Sequence, residues 1–343
     1  MSDQQLRIGV IGTGVMGADH VKTITESVSG ARIAAVADID LDRARAVAEP
    51  IGAVASGDAL DLIAGETLDG VIIASADRTH AELTLAAIAA GLPVLCEKPL
   101  APTVAECEAI VAAEQAAGRP LVQVGFMRRF DPSYTDLRRR IVAGEIGAAL
   151  LAHAVHRNVS MPAGWDATAT IVNSLVHELD VMPWLLDSPV LEVLWLAARE
   201  STRVHYADPQ VTLLRLRNGA LVTVEVTANA VYGYEVRCET VGELGTLELT
   251  TPVTAVQRRG GGVRHDLAAD WRPRFAEAYR IELQHWANAI RDTPEHPVAG
   301  PGSSDGLVAA RLTEAVLRSR ETGGWQAVPT TATTASPESG DPE

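Results

Sequence analysis

The sequence predicts an α/β fold, with an N-terminal doubly wound parallel sheet followed by an α+β domain built on a large open, mostly antiparallel sheet. Three observations predict it. Short β-branched runs alternate with alanine-rich helical stretches up to about residue 124, the pattern of a parallel sheet wrapped by helices. A glycine-rich turn, Gly12-Thr13-Gly14-Val15-Met16-Gly17, joins the first such run to the first helix. Beyond Val124 apolar and polar residues alternate on both sides of Asn218-Gly219, which signals a hairpin of type I′.

In the first region the expected strands are Leu6 to Ile11, Ala31 to Ala37, Val71 to Ser75, Pro93 to Cys96 and Leu121 to Val124. Helices are expected at Ala18 to Val28, Leu41 to Ile51, Thr79 to Ala90 and Val104 to Ala117. Gly91 and Gly118 stand where a helix ends and a strand follows, the place for a left-handed residue. In the second region strands are expected at Ala148 to Arg157, Val190 to Ala198, Val211 to Val226 as a hairpin, Glu235 to Val241 and Thr246 to Leu249, with a tight turn at Gly242 to Gly245. Helices are expected at Ser133 to Ala143, Val172 to Leu186, Arg274 to Arg291 and Ser303 to Arg320. The resulting division is residues 1–124, residues 125–329 and an aperiodic tail over 330–343, read as disordered.

Charge and cysteine content narrow the class. The chain has 343 residues, with 29 basic against 44 acidic side chains, a formal charge of −15. Such a field disfavours nucleic acid and anionic membrane surfaces. Cys96, Cys107 and Cys238 are odd in number and lack metal-ligand spacing, so neither a disulfide framework nor a metal site is expected. No apolar run approaches the roughly 20 residues that span a bilayer, and a cytoplasmic location is expected.

The glycine-rich turn sits between a strand and a helix, where its first Gly permits the turn, its second admits a pyrophosphate and its third allows close packing. Asp38 ends the next strand, placed to accept from a ribose 2′-hydroxyl. Asp38 repels a 2′-phosphate and is followed by Ile39 rather than Arg, so NAD is favoured over NADP. Glu97-Lys98-Pro99 follows a strand at the carboxyl edge of the sheet, where Lys98 can donate to a substrate oxygen or equally stand on the surface. His177 has Asn173 four residues before it on one helix face, and an imidazole suits proton transfer from an alcohol losing hydride. A histidine facing solvent or a core partner is the alternative. His156 and Asn158 share one strand face. Of Arg128-Arg129 only one side chain need point inward, whereas Arg138-Arg139-Arg140 reads as a solvated face near Asp136 and Glu145. Tyr232, Tyr234 and Tyr279 are candidate hydroxyl donors or core residues.

In this order the pieces resemble the Gfo/Idh/MocA oxidoreductases, and among them the inositol 2-dehydrogenases, from Ile8 to about Gly324. The resemblance rests on Gly12 to Gly17, Glu97-Lys98-Pro99, Gly125 to Tyr134, His156-Arg157-Asn158, the helix with His177, Tyr232-Gly233-Tyr234, and Trp271 to Tyr279. It implies a Rossmann domain that holds NAD through Gly12, Gly14, Val15, Met16, Gly17, Asp38, Ser75, His80, Glu97, Lys98 and Gln123. It further implies a catalytic set of Lys98, His177 and Asn173, and a polyol pocket of Met127, Arg128, His156, Asn158, Tyr234 and Tyr279. Position 173 departs from the inositol enzymes, which usually carry Asp there. The resemblance also implies a homo-oligomer, a tetramer or a dimer. The expected reaction is oxidation of a secondary ring hydroxyl of a cyclitol by hydride transfer to NAD, with His177 as proton acceptor and Lys98 polarising the oxygen. Dehydrogenation of another sugar, deoxysugar or aminocyclitol, NAD-using glycoside hydrolysis and nucleotide binding without turnover stay open as alternatives.

Overall fold

The first sheet is formed by β1 (Leu6–Ile11), β2 (Ala31–Ala37), β3 (Val54–Ser56), β4 (Gly70–Ile73), β5 (Val94–Glu97) and β6 (Val122–Gly125) in a computed structural model that describes residues 5–65, 67–249, 255–264 and 266–329. Its order is β3-β2-β1-β4-β5-β6 and every pairing is parallel. The expected disordered tail, 330–343, lies outside the described residues. Crossovers are made by α1 (Val15–Ser27), α2 (Leu41–Ala48), α3 (Ala59–Gly65), α4 (His80–Ala89) and α5 (Val104–Ala117). Successive side chains of these strands serve opposite faces. Ile8, Val10, Ile72 and Leu95 enter one core, while Ile11, Val71, Ile73, Val94 and Cys96 enter the other. Burial on both faces explains why the strands read as continuous apolar runs. Strand β3 and helix α3 were not among the expected elements, because three and seven residues are too few to show a period.

The second region begins with α6 (Pro132–Val142) and β7 (Ala149–Arg157), followed by α7 (Ala167–Thr170) and α8 (Val176–Leu185). Next come β8 (Val190–Ala197), β9 (Gln210–Leu216), β10 (Leu221–Thr227), β11 (Glu235–Gly242), β12 (Thr246–Glu248) and a small hairpin of β13 (Gln257–Arg259) and β14 (Gly262–Arg264). Helices α9 (Trp271–Asp292) and α10 (Ser303–Thr322) and the short β15 (Gln326–Ala327) complete it. The large sheet runs β12-β11-β7-β10-β9-β8-β15 and is antiparallel except where β7 and β10 pair in parallel.

Three local expectations change. The β9–β10 turn is not type I′: Gly219 has φ +89° whereas Asn218 is not left-handed, and Gly219 N donates to Leu216 O at 3.0 Å. The loop is therefore Arg217-Asn218-Gly219, three residues with Gly in the left-handed position, closed by Leu216 N donating to Ala220 O. The helix expected from Val172 starts at Ala167, where the Asp166 side chain accepts from Ala169 N at 2.8 Å. It then passes through a π-helical turn at Ile171–Leu175 before α8. Helix α9 likewise starts earlier than expected, at Trp271, capped by Asp270. Gly91 and Gly118 do take left-handed φ values of +71° and +72°.

Helix α9 belongs to both halves. Its start contributes Phe275, Ala278 and Tyr279 to the core beneath the large sheet, and its end contributes Leu283, Trp286, Ala287 and Ile290 to one core of the parallel sheet. Trp286 is 1% exposed and lies so close to Gly70 that a Cβ there would sit 3.0 Å from its ring. Truncating it to Ala is expected to cost about 3–5 kcal/mol of stability, read as a lowered midpoint in urea denaturation.

Candidate active site

A cavity of ≈ 500 Å³ opens at the carboxyl ends of β1, β2 and β4, lined among others by Gly12, Gly14, Asp38, Ile39, Arg43 and Ser75. This is the point where strand order reverses, between β1 and β4, the place where open α/β sheets bind ligands. Each glycine of the turn has its own reason. A Cβ on Gly12, at φ +89°, would fall 2.6 Å from the backbone of Ala74 and Ser75, and one on Gly17 would fall 1.8 Å from Gly12 O. At Gly14 a Cβ would meet nothing within 4 Å, so the missing side chain leaves room for something other than protein. No side chain caps the start of α1, leaving its first-turn amides directed at that space. These residues fit a dinucleotide pyrophosphate.

Asp38 takes hydrogen bonds from Thr13 N and Thr13 Oγ1 on Oδ2, and from Asp40 N and Arg43 Nη2 on Oδ1. Burial alone would raise its pKa, yet the bonds from Arg43, Asp40 and Thr13 outweigh it and hold the carboxyl well below the usual range. Val15 is exposed at the start of α1. Met16, one residue on, lines a second cavity.

That second cavity, ≈ 280 Å³, lies between the two halves. Glu97 and Lys98 reach it from the end of β5; Met127, His156, Asn158, Asn173, His177 and Tyr234 from the second domain; and Trp271 and Tyr279 from α9. Lys98 Nζ donates to the main-chain carbonyl of Asn173 at 3.2 Å, which leaves further ammonium protons for a substrate oxygen. Burial lowers the Lys98 pKa, with Glu97 and Asp77 acting against it. His177 is held well below its usual pKa by burial first, then by Lys98, Arg128 and His156. Its imidazole is therefore neutral and able to accept a proton. Burial pushes the Tyr234 hydroxyl up to about 12 and that of Tyr279 well above 10, so both remain donors.

Not every expected site residue lines a cavity. Arg128 stands one layer behind: it is 1% exposed, Nη1 pairs with Glu178, Nη2 lies 3.2 Å from His156 Nδ1, and its plane covers Phe275. Its place behind the wall follows from Glu178, a buried carboxylate that needs a cation. Gln123 lies in β6 with Oε1 accepting from Ala299 N at 3.0 Å, lining neither cavity. His80 is likewise interior, bridging Pro99 O at 2.7 Å and Ser75 O at 3.2 Å. Both therefore brace the backbone around the site. Asn173 lines the cavity, but its Nδ2 donates to Ala169 O at 3.0 Å, and His177 Nδ1 has no hydrogen-bond partner among the described residues. Tyr232 is exposed and bound to Glu235 and Arg157. Arg129 also turns inward, to Asp180. The triple arginine meets Asp187, Asp136 and Glu145 on the surface.

Several contributors had no separate signal in the sequence. Glu178 bridges Arg128 and His156, and His156 in turn lies 3.3 Å from the Tyr234 hydroxyl. His20, on the second turn of α1, is fully buried with Nε2 2.7 Å from Glu97 Oε1. Burial would raise the Glu97 pKa, but the His20 bond and charge bring it below the usual range. Thr13, Trp165 and Ser174 are further examples. Their roles arise from contacts between distant segments. Replacing Glu178 by Ala strands a buried guanidinium and is expected to cost about 3–5 kcal/mol, seen as a fall in thermal midpoint that Glu178→Gln reproduces only in part.

Residues 6–126 match the oxidoreductase family with an NAD-binding Rossmann fold, and residues 138–328 match the C-terminal alpha/beta domain of the same family. The chain is 49% identical over 322 residues to inositol 2-dehydrogenase 1 of Saccharopolyspora erythraea, covering 93% of this chain and 95% of that protein. It is 42% identical to inositol 2-dehydrogenase 2 of Paenarthrobacter aurescens, covering 93% and 97%. A crystal structure of myo-inositol dehydrogenase from Lactobacillus casei in complex with NAD(H) and myo-inositol superposes with a TM-score of 0.92 at 32% identity, covering 96% of this chain and 99% of that one. The chain belongs to the Gfo/Idh/MocA family of NAD-dependent oxidoreductases.

Proposed function

We propose that this protein oxidises a secondary ring hydroxyl of a cyclitol, myo-inositol or a related inositol, to the ketone. The observation that carries this reading is the meeting of Lys98 and His177 in one cavity whose wall also holds Met16, from the helix that starts at the glycine-rich turn. The inositol dehydrogenases among its relatives support the choice of a cyclitol. NAD, when bound, supplies the hydride acceptor. Lys98 Nζ donates to the substrate oxygen as negative charge gathers there, while its bond to Asn173 O holds the ammonium in line. His177, kept neutral by burial and then by its cationic neighbours, takes the hydroxyl proton. Asn158, Tyr234 and Tyr279 supply amide and hydroxyl groups for the remaining ring hydroxyls. Trp165 and Trp271 provide flat apolar walls for the ring face and exclude water.

We also infer a homo-oligomer, a dimer or a tetramer. The outer face of the large sheet carries Val155, Leu213 and Leu221 only half-buried, among the ion pairs of Arg157 with Glu225 and Glu235. As for the membrane, no helix among the described residues is long and apolar enough to cross one.

Turnover of myo-, scyllo- and D-chiro-inositol and common aldoses, followed by NADH absorbance, tests the substrate class; failure of every cyclitol overturns it. Lys98→Ala and His177→Ala are each expected to lower kcat/KM by ~10²–10⁴-fold, and in His177→Ala NAD affinity, measured by calorimetry, stays nearly intact. The pH profile carries a sign. His177 is active when neutral and its pKa is depressed, so the acid limb of kcat/KM lies below the ordinary histidine range. Asn173→Asp brings a carboxylate to the cavity and is expected to move that limb to higher pH. A downward move in a folded variant contradicts the assignment.

A further inference from the structure

Beneath the Lys98 turn lies a buried histidine that the proposed oxidation leaves unused. We propose that His20 is a positioning residue: acting through Glu97, it keeps Lys98 an ammonium available to the substrate oxygen. The inference rests on the role given to Lys98 in the proposed oxidation and adds to it a residue from α1.

His20 lies one helical turn after Met16, on the same face of α1, and is fully buried. An ionised carboxylate only accepts, so His20 Nε2 donates to Glu97 Oε1 across 2.7 Å. The other oxygen, Oε2, accepts from Lys98 N at 3.2 Å and rests on Gly125, where a Cβ would fall 3.0 Å from it. The imidazole meets the Tyr279 ring edge to face, with 5.9 Å between centroids, and Tyr279 lines the catalytic cavity.

A second carboxyl is buried nearby without such a donor. Glu282, on α9, is fully buried, and neither of its oxygens has a hydrogen-bond partner among the described residues. Burial first, then the charges of Glu97 and Asp180, push its pKa well above the ordinary carboxylate range, so it is neutral. Burial pushes Glu97 the same way, but the His20 bond and charge, followed by Lys98, bring it below the usual range. His20 thus decides which of two buried carboxyls carries the charge. That choice reaches Lys98. Burial lowers the pKa of its ammonium, Glu97 and Asp77 oppose this, and Arg128 adds to it. His156 and His177 also face the ammonium, from the second region, and bring no negative charge. Among the described residues no carboxylate bonds to Nζ itself, which meets Asn173 O at 3.2 Å. The support from Glu97 acts through space and lasts only while Glu97 is ionised.

Lys22 and Lys98 are the two lysines of the sequence. Trace acetylation with acetic anhydride over a range of pH, read by mass spectrometry, therefore gives the ionisation midpoint of Lys98, with the exposed Lys22 as standard. His20→Met removes the donor to Glu97, while His20→Gln, of similar length, keeps an amide N–H. In His20→Met the Lys98 midpoint is expected to fall by about one pH unit or more, and the basic limb of kcat/KM with it. In His20→Gln both stay nearer to the unaltered chain. A packing role alone lowers the thermal midpoint of both variants and leaves the ionisation of Lys98 where it was. An unmoved Lys98 midpoint in a folded His20→Met overturns the proposal. Should that variant not fold, Glu282→Gln decides, being isosteric with the neutral acid. Lys98 is expected to keep its midpoint there, and a fall shows that Glu282 rather than Glu97 carries the charge, which overturns the role of His20. Failure of the unaltered chain to oxidise any cyclitol overturns the proposed function instead, and the labelling midpoint still judges His20 by itself.

Discussion

One helix has to satisfy two hydrophobic cores. Over its 22 residues, about 33 Å at 1.5 Å per residue, α9 buries Phe275 and Tyr279 beneath the large sheet and Trp286 and Ile290 against the parallel sheet. Neither end can shift without opening a void in the core that it fills. The relative placement of the glycine-rich turn and the wall formed by the second region is thus set by packing. The cavity between the halves takes Met16, Glu97 and Lys98 from one side and His156, Asn158 and His177 from the other, and Tyr279 of the same α9 joins them. A shared helix is a stiffer tie than a linker loop, and it holds Lys98 and His177 on the two sides of one seam.

The electrostatics of that seam follow from which charges are paired. Glu178 offsets Arg128, and His20 and Glu97 form a second buried pair at the foot of α1. Glu97 also accepts from Lys98 N at 3.2 Å, so a single carboxylate links the helix behind the glycine-rich turn to the backbone of Lys98. No carboxylate does the same for His177. Its neighbours are Lys98, Arg128 and His156, and Asn173 spends its amide on Ala169 O. The consequence is a base that is weak but always unprotonated near neutral pH, beside a lysine positioned by a main-chain carbonyl.

The π-helical turn at Ile171–Leu175 gives this arrangement its local cause. Such turns interrupt the regular ladder of hydrogen bonds and are frequent at functional sites. Here the turn contains both Asn173, whose carbonyl meets Lys98, and Ser174, whose hydroxyl meets Asn158 Nδ2 at 3.3 Å. The segment before it, Ser160 to Trp165, lines the same cavity through Ser160, Met161, Pro162 and Trp165.

The sequence by itself determined what depends on local period and on chemistry tied to a turn. Five of the six strands of the parallel sheet, the glycine-rich turn, Asp38 at the end of β2 and the Lys98 turn after β5 were legible, because both faces of the sheet are buried and ligands bind at its carboxyl edge. So was the grouping of His156 with Asn158, which needs only the two-residue repeat of a strand. Tertiary structure decided what depends on partners far apart in the chain. Arg128 looked like a pocket residue until Glu178 and Phe275 drew it behind the wall. Gln123 and His80 meet Ala299 and Pro99, which reach them from elsewhere in the chain. His20 and Thr13 carry no periodic or spacing signal, and their work appears only when α1 packs beside β5 and Thr13 meets Asp38. A local pattern records which way a side chain points, whereas a pairing over tens of residues is recorded only in the packed fold.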